Sequence, residues 1–292
     1  MRQAGEKQAQ DRAHPVEGRG VQSIETGGRL LDAMIVSGQP AMLRDLAAAA
    51  GIAPAQAHAY LVSFRKIGMV EQDPLSGRYL LGPMALQLGL SRMRSFDPLR
   101  LACNAAIDLA RDMGLMVTVS VWGMYGPTII QVQEAVEPVH VNLRAGAVFT
   151  LSGTATGRLF AALMPEPIVA PLLRQEMRGG SPSIGKPTAV SALPQSSEVV
   201  RRLGYATTEG VPVPGVNAIA VPVLDHAGQL VFALTVIGHA AMLDVGIDGA
   251  QLAQVLAVGR KLSAQLGHRD APRPEARATV AKSARKVAIQ RG

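Results

Sequence analysis

The residues able to do covalent or proton chemistry are scattered through this 292-residue chain in a way that suits no reaction. Its six histidines stand at 14, 58, 140, 226, 239 and 268. None has the HxxxH or HExxH spacing that places two imidazoles on one helix face around a metal. Ser152-Gly153-Thr154 lacks the GxSxG elbow that lifts a hydrolase serine onto a sharp turn. Gly27-Gly28 and Gly179-Gly180 do not lead from a strand into a helix, as a phosphate-cradling loop must. His140 lies in an alternating stretch and reads as structural, and the carboxylates form no clear pair. Cys103 is the single cysteine, which excludes an intramolecular disulfide and any multi-cysteine metal site. The reading is of no catalytic residue, no metal and no cofactor: the chain is not an enzyme.

Recognition chemistry fits better, and it concentrates in one segment. Pro54 sits at the favoured first-turn position of a helix running to about Ile67, with Gly68 as its stop. Projected at about 100° per residue, Ala57, Leu61, Phe64 and Gly68 share a core side. The other side carries Ala55, Ala59, Val62, Ser63 and Lys66, with Gln56 beside them. An outward face of this kind can enter a DNA major groove. Gln56 can both donate to and accept from adenine, while Ala55 and Ala59 can pack against thymine methyls. His58 and Tyr60 lie at the margins, within reach of phosphates, but a solvated histidine and a ring packed at the core edge are equally consistent with those positions. Arg44 and Arg78 are candidate phosphate contacts, which position a protein without reading sequence.

These side chains need a frame, and the punctuation supplies one. Ile24, Leu30, Leu31, Met34 and Ile35 recur at helical spacing until Ser37-Gly38-Gln39-Pro40 stops them. A helix over 43–50 follows, and only Gly51-Ile52-Ala53 separates it from the helix at Pro54, the short turn of a helix-turn-helix. Met69 to Gln72 and Arg78 to Leu81 flank a Pro/Gly turn and form a hairpin. The outline is a winged helix-turn-helix over 21–82, then a linker helix over 83–95 whose Met/Leu stripe suits a dimer contact.

Residues 96–268 read as a second domain. The pattern predicts a helix over 98–113 and a strand over 115–122, with Val117, Val119 and Val121 on one face and Thr118, Ser120 and Trp122 on the other. Further strands are expected near 128–135, 139–143, 204–208, 216–223 and 229–237. Helices are expected near 153–164, 166–177 and 191–203, with a loop over 179–190. A final helix lines up Leu252, Val255, Leu256, Gly259 and Leu262. Hairpin-linked strands bordered by helices give an α+β fold with a mostly antiparallel sheet.

The formal charge of +7 is unevenly spread. Residues 1–20 carry four Lys/Arg against three Asp/Glu, 21–95 seven against five, 96–268 eleven against twelve, and 269–292 seven against two. Both ends, 1–20 and 269–292, are aperiodic and read as disordered tails. The basic C-terminal one can add nonspecific affinity for nucleic acid by releasing counterions. With no long apolar run and no signal-peptide core at the N-terminus, the expectation is a cytoplasmic protein without membrane contact.

The sequence resembles the IclR family of bacterial regulators. The blocks that carry the resemblance are Val21 to Glu25, Arg29 to Asp32, Asp45-Leu46-Ala47, the string Asp73 to Pro83, SGTATGR over 152–158, Gly204-Tyr205, and Gly215 to Val223. The resemblance implies a GAF-like effector domain, a homodimer or dimer of dimers, and binding to a palindromic operator in double-stranded DNA. It also implies a pocket lined by Ala155, Thr156, Thr208, Glu209, Asn217 and Ala218, taking a small organic acid or an aromatic catabolite. Two departures stand out. Ala55-Gln56 and Ala59 replace a Ser-Thr pair and an arginine usual in the family, and Thr208 and Ala218 replace an acid and a cysteine. The first implies an altered operator. It also keeps open a ligand sensor with weakened or lost DNA binding that acts through protein partners.

Overall fold

A computed structural model describes residues 20–136, 141–179, 183–185, 187 and 193–269. The expected tails, apart from Gly20 and Arg269, lie outside these residues, as does His140. The chain divides into two compact units, the first ending at Phe96 and the second beginning at Asp97.

In the first unit, α1 (Gln22–Ser37), α2 (Leu43–Ala50) and α3 (Pro54–Lys66) precede a hairpin of β1 (Val70–Gln72) and β2 (Tyr79–Leu81). Leu30, Leu46, Leu61 and Val70, one from each of α1 to α3 and from β1, are fully buried together. Burying a leucine stabilises by roughly 1.5–3 kcal/mol, so these four set the register of the elements. The turn between α2 and α3 works because Gly51 adopts φ +64°, where a Cβ would be strained. The hairpin pairs Val70 with Leu81 and Gln72 with Tyr79. Its turn is closed by the Asp73 carboxylate, which accepts from the Leu75 and Ser76 amides at 3.1 and 3.2 Å and from the Ser76 hydroxyl. α4 (Pro83–Ser95) has no buried residue and exposes Met84, Leu86, Leu88, Leu90 and Met93.

The second unit opens with α5 (Pro98–Met113), capped by Asp97, whose carboxylate accepts from the Arg100 amide at 3.0 Å. Then come β3 (Met116–Gly123), β4 (Gly126–Gln133), β5 (Val148–Phe149), α6 (Ala155–Leu163), α7 (Glu166–Met177), β6 (Ser183–Ile184), α8 (Leu193–Leu203), β7 (Ala206–Thr208), β8 (Val216–Leu224), β9 (Leu230–His239) and α9 (Ala250–Gln265). Among the described residues the strands order as β6-β5-β4-β3-β9-β8-β7, antiparallel except for β5 beside β6. Alternation sorts the two faces. Val117, Val119, Ile219, Val221, Leu234 and Val236 meet α5 and α9, while Trp122, Ala220 and Ala233 meet α6. No helix among the described residues is long and apolar enough to cross a membrane.

Two expectations need correction. Residues 141–143 are not a strand: the edge partner of β4 is β5, with Thr128 opposite Val148. The span expected as a loop over 179–190 contributes β6, which pairs Ser183 and Ile184 with Val148 and Phe149. Two-residue strands at a sheet edge leave too short a pattern to read from sequence.

Candidate nucleic-acid interface and ligand cavity

α3 is a single helix with Ala57 and Leu61 fully buried and Phe64 half-buried, so its other side is free. Ala55, Gln56, His58, Ala59 and Ser63 are all exposed there, together with Lys66. The Ser63 hydroxyl donates back to the Ala59 carbonyl at 3.1 Å, which leaves its lone pairs outward. Tyr60 departs from the phosphate-reaching role: it is half-buried, its ring centroid lies 6.4 Å from that of Phe64, and it packs on the core edge.

Arg44 is exposed in the first turn of α2. Arg78 is exposed on the hairpin, and its Nη1 donates to the Pro40 carbonyl at 3.1 Å, which ties the hairpin to the segment after α1. A second tie went unseen in the sequence. Arg65 Nη1 donates to Gln72 Oε1 at 3.1 Å, and Gln72 Nε2 donates to the Gly77 carbonyl at 2.9 Å. This chain fixes the wing relative to the end of α3.

The second site lies at the start of α6. Thr154 caps the helix: its hydroxyl accepts from the Gly157 amide at 2.9 Å and donates to the Thr150 carbonyl at 2.9 Å. Gly157 is required, because a Cβ there would overlap the Thr150 carbonyl oxygen and the Leu151 Cα. The amides of Ala155 and Thr156 begin the helix and have no intrahelical acceptor. They adjoin a cavity of about 40 Å³. Ala155, Thr156, Thr208 and Ala218 line it, along with Phe149, Thr154, Ile184, Val211 to Val213, Thr235 and Ile237. Thr156 Oγ1 and Thr235 Oγ1 stand 2.8 Å apart. Among the described residues no charged side chain lines the space, and its surface there is chiefly apolar.

Glu209 and Asn217 are not in this cavity. Glu209 is exposed, just past the end of β7. Asn217 precedes Ala218 on β8, and consecutive strand residues face opposite sides of a sheet, so both cannot line one pocket. Asn217 is instead a buried clamp: its Oδ1 accepts from the Gly210 amide at 3.0 Å and its Nδ2 donates to the Leu243 carbonyl at 2.9 Å.

A buried carboxylate supports the cavity from behind. Glu176 on α7 accepts from the Leu151 amide at 2.6 Å, the Ser152 amide at 3.2 Å and the Ser152 hydroxyl. Arg158 Nε donates to the Ser152 carbonyl at 3.0 Å, and burial pushes the pKa of that guanidinium below its ordinary value. The residues just before α6 are therefore held by side chains from two helices. Burial, and after it the charge of Asp97, push the Cys103 thiol above its usual pKa and make it a poor nucleophile at neutral pH. Among the described residues no group of three His, Cys, Asp or Glu side chains could hold a metal.

Residues 23–74 match the family model of the IclR helix-turn-helix domain, and residues 96–264 match that of the bacterial transcriptional regulator IclR C-terminal domain. The glycerol operon regulatory protein of Streptomyces griseus is 28% identical over 249 residues, covering 84% of this chain and 95% of that protein. The HTH-type transcriptional regulator XynR of Escherichia coli K12 is 25% identical over 256 residues, covering 85% and 98%. Among solved structures, Pseudomonas aeruginosa HmgR superposes with a TM-score of 0.74 at 32% identity, covering 86% of this chain and all of that one.

Proposed function

Because the chain belongs to the IclR family of DNA-binding transcription regulators, we propose that an acid bound at the start of α6 controls the affinity of α3 for a specific operator. The observation that carries this reading is the cavity under the Ala155 and Thr156 amides, in a domain joined to a DNA-binding head. A helix N-terminus attracts anions, so one carboxylate would accept from those amides, with the Thr156 and Thr235 hydroxyls beside it. Among the described lining residues no cationic side chain stands ready to pair with a second carboxylate. The favoured effector is therefore a small organic monoacid, aliphatic or aromatic, whose body packs on Phe149, Ile184 and Ile237.

The size of the cavity explains how binding would be felt elsewhere. Its volume of about 40 Å³ suits a water or two, whereas ligand pockets commonly reach about 300 Å³ or more. An acid must displace part of the wall, so it selects a conformation of this domain different from the one described here. The same ligand would thereby bias any contact that differs between the two conformations.

On the DNA side, Gln56 would read a base while Arg44 and Arg78 hold phosphates. The small Ala55 and Ala59 side chains would let the helix approach thymine methyls closely. The exposed apolar residues of α4 would bury against a second copy, giving the homodimer that a palindromic operator in bacterial cytoplasm requires.

The test is a thermal-shift series of monocarboxylic acids on the wild type and on Thr156→Val, paired with mobility shifts on the gene's own upstream DNA. A monoacid should raise the melting temperature of the wild type more than that of the variant, and a retarded complex should form at low salt. A folded dimer that retards no DNA would favour the alternative of a sensor acting through protein partners.

A further inference from the structure

A basic groove lies on the second unit, away from the cavity, between the end of α8, the stretch of β8 that runs past its pairing with β7, and the later half of α9. Its volume is about 1120 Å³, and Arg201, Arg202, Arg260, Lys261 and His268 line it, with no aspartate or glutamate among the described lining residues. The domain as a whole is near neutral, eleven Lys/Arg against twelve Asp/Glu over 96–268, so this cluster is a local concentration rather than a reflection of composition. Arg201 Nε donates to the Ala162 carbonyl at 2.7 Å and is held in place. Arg202, Arg260 and Lys261 are exposed and have no ion-pair partner among the described residues, Glu198 on the same helix included. The nearby Asp225 carboxylate is turned into its own loop, accepting from the Ala227 and Gln229 amides at 2.8 and 2.9 Å.

The strand edge in this groove cannot recruit another strand. Pro222 has no N–H, and the Leu224 amide donates to the Ser263 hydroxyl at 3.0 Å, which itself donates to the Gly259 carbonyl at 2.8 Å. An occupant must therefore be held by the side-chain charges. The sequence that continues from His268 and Arg269 at the lip carries six more Lys/Arg against two Asp/Glu over 270–292. Charge of that sign cannot neutralise the groove, and it would add to the attraction for a polyanion. A short acidic peptide would be satisfied by the groove alone, whereas the continuous phosphates of a duplex would also offer partners to that added positive charge.

We propose that this groove is a second, sequence-independent DNA contact, in which Arg202, Arg260 and Lys261 engage backbone phosphates. It adds affinity for any duplex without altering the preference set at α3, because phosphates carry no base identity.

The experiment measures full-length protein binding to a labelled random-sequence duplex by fluorescence anisotropy across a potassium chloride series. Each phosphate contact contributes about 0.9 to the slope of log affinity against log salt, so the variant R202A/R260A/K261A should show a slope shallower by about 2–3. Its affinity near 0.1 M salt should fall by roughly tenfold or more. R202K/R260K keeps the charge and should retain the wild-type slope. R144A/R174A/R178A removes the same charge elsewhere on the domain and should change the slope by less than half as much. Sequence preference, read in parallel on the upstream DNA, should stay unchanged in all three, so failure here and failure of operator recognition are separable. A groove variant that melts like the wild type and keeps its slope, or that matches the control triple, overturns the proposal. So does loss of binding to a labelled poly-glutamate peptide with the DNA slope unmoved, which would assign the groove to an acidic protein.

Discussion

Two helices begin at the two candidate sites, and they begin differently. α3 starts at Pro54 after Ala53, with no side-chain cap, and its first turn is exposed. α6 starts after Thr154, whose hydroxyl caps it, and its first turn is buried beneath residues held by Glu176 and Arg158. An uncapped, exposed helix start costs little, because water satisfies the free amides until a duplex replaces it. A buried start needs every amide provided for, and at α6 the provision stops short at Ala155 and Thr156. The first geometry suits a large partner that arrives from solvent. The second suits a small anion that completes an interior network.

If the units have separate cores, damage to one should spare the other. Leu61→Ala empties the centre of the head and should cost about 2–5 kcal/mol, abolishing the preference for operator over random duplex. Acid-induced stabilisation of the second unit should survive, as differential scanning calorimetry with and without acid would reveal. Loss of both together would merge the two regions into one. Glu176→Leu should do the converse. It leaves the Leu151 and Ser152 amides without their acceptor, at a cost of roughly 3 kcal/mol to the second unit, and weakens acid binding. Sequence preference, set at α3, should be unaffected; an altered preference in binding-site selection would show that the loop before α6 also shapes the head.

Smaller changes sharpen the head itself. Gln56→Ala should relax discrimination at one base pair by roughly 1–3 kcal/mol in a binding-site selection, and an unchanged preference would remove Gln56 from the readout. Arg78→Ala should leave preference alone and reduce the salt slope by about 0.9, unless its bond to Pro40 is its whole role. The smallest effect is expected at the wing turn. The Ser76 hydroxyl, then the Leu75 amide, hold the Asp73 carboxyl below its usual pKa of 3.8. Its ionised form is thus favoured in the folded state. The contribution is complete above the ordinary value and is lost as pH falls through the lowered one. Amide exchange at Leu75 and Ser76 should quicken only in that acidic window, and Asp73→Asn should erase the pH dependence.

The head was more legible in the sequence than the cavity, for a physical reason. Its elements are separated by residues with strong local preferences, Gly38, Gly51 and Pro54, and α3 shows its buried side through Ala57 and Leu61 alone. The cavity is assembled from segments far apart in the chain. Ala155, Thr156, Thr208 and Ala218 were reachable through family blocks, but Phe149, Ile184 and Thr235 join them only through sheet pairing. Asn217 falls outside the cavity because strand alternation sends it and Ala218 to opposite faces, which a motif string does not display. Glu176 gave no signal, since its partners Leu151 and Ser152 lie 25 and 24 residues away.

The most direct test is a thermodynamic square. Operator affinity of the full chain is measured with and without a saturating monoacid that raises its melting temperature, and acid affinity with and without operator. Control of α3 from the start of α6 requires that the acid change operator affinity, and that operator change acid affinity by the same factor, typically about 5-fold or more. An acid that binds and stabilises the protein yet leaves operator affinity untouched would contradict the account.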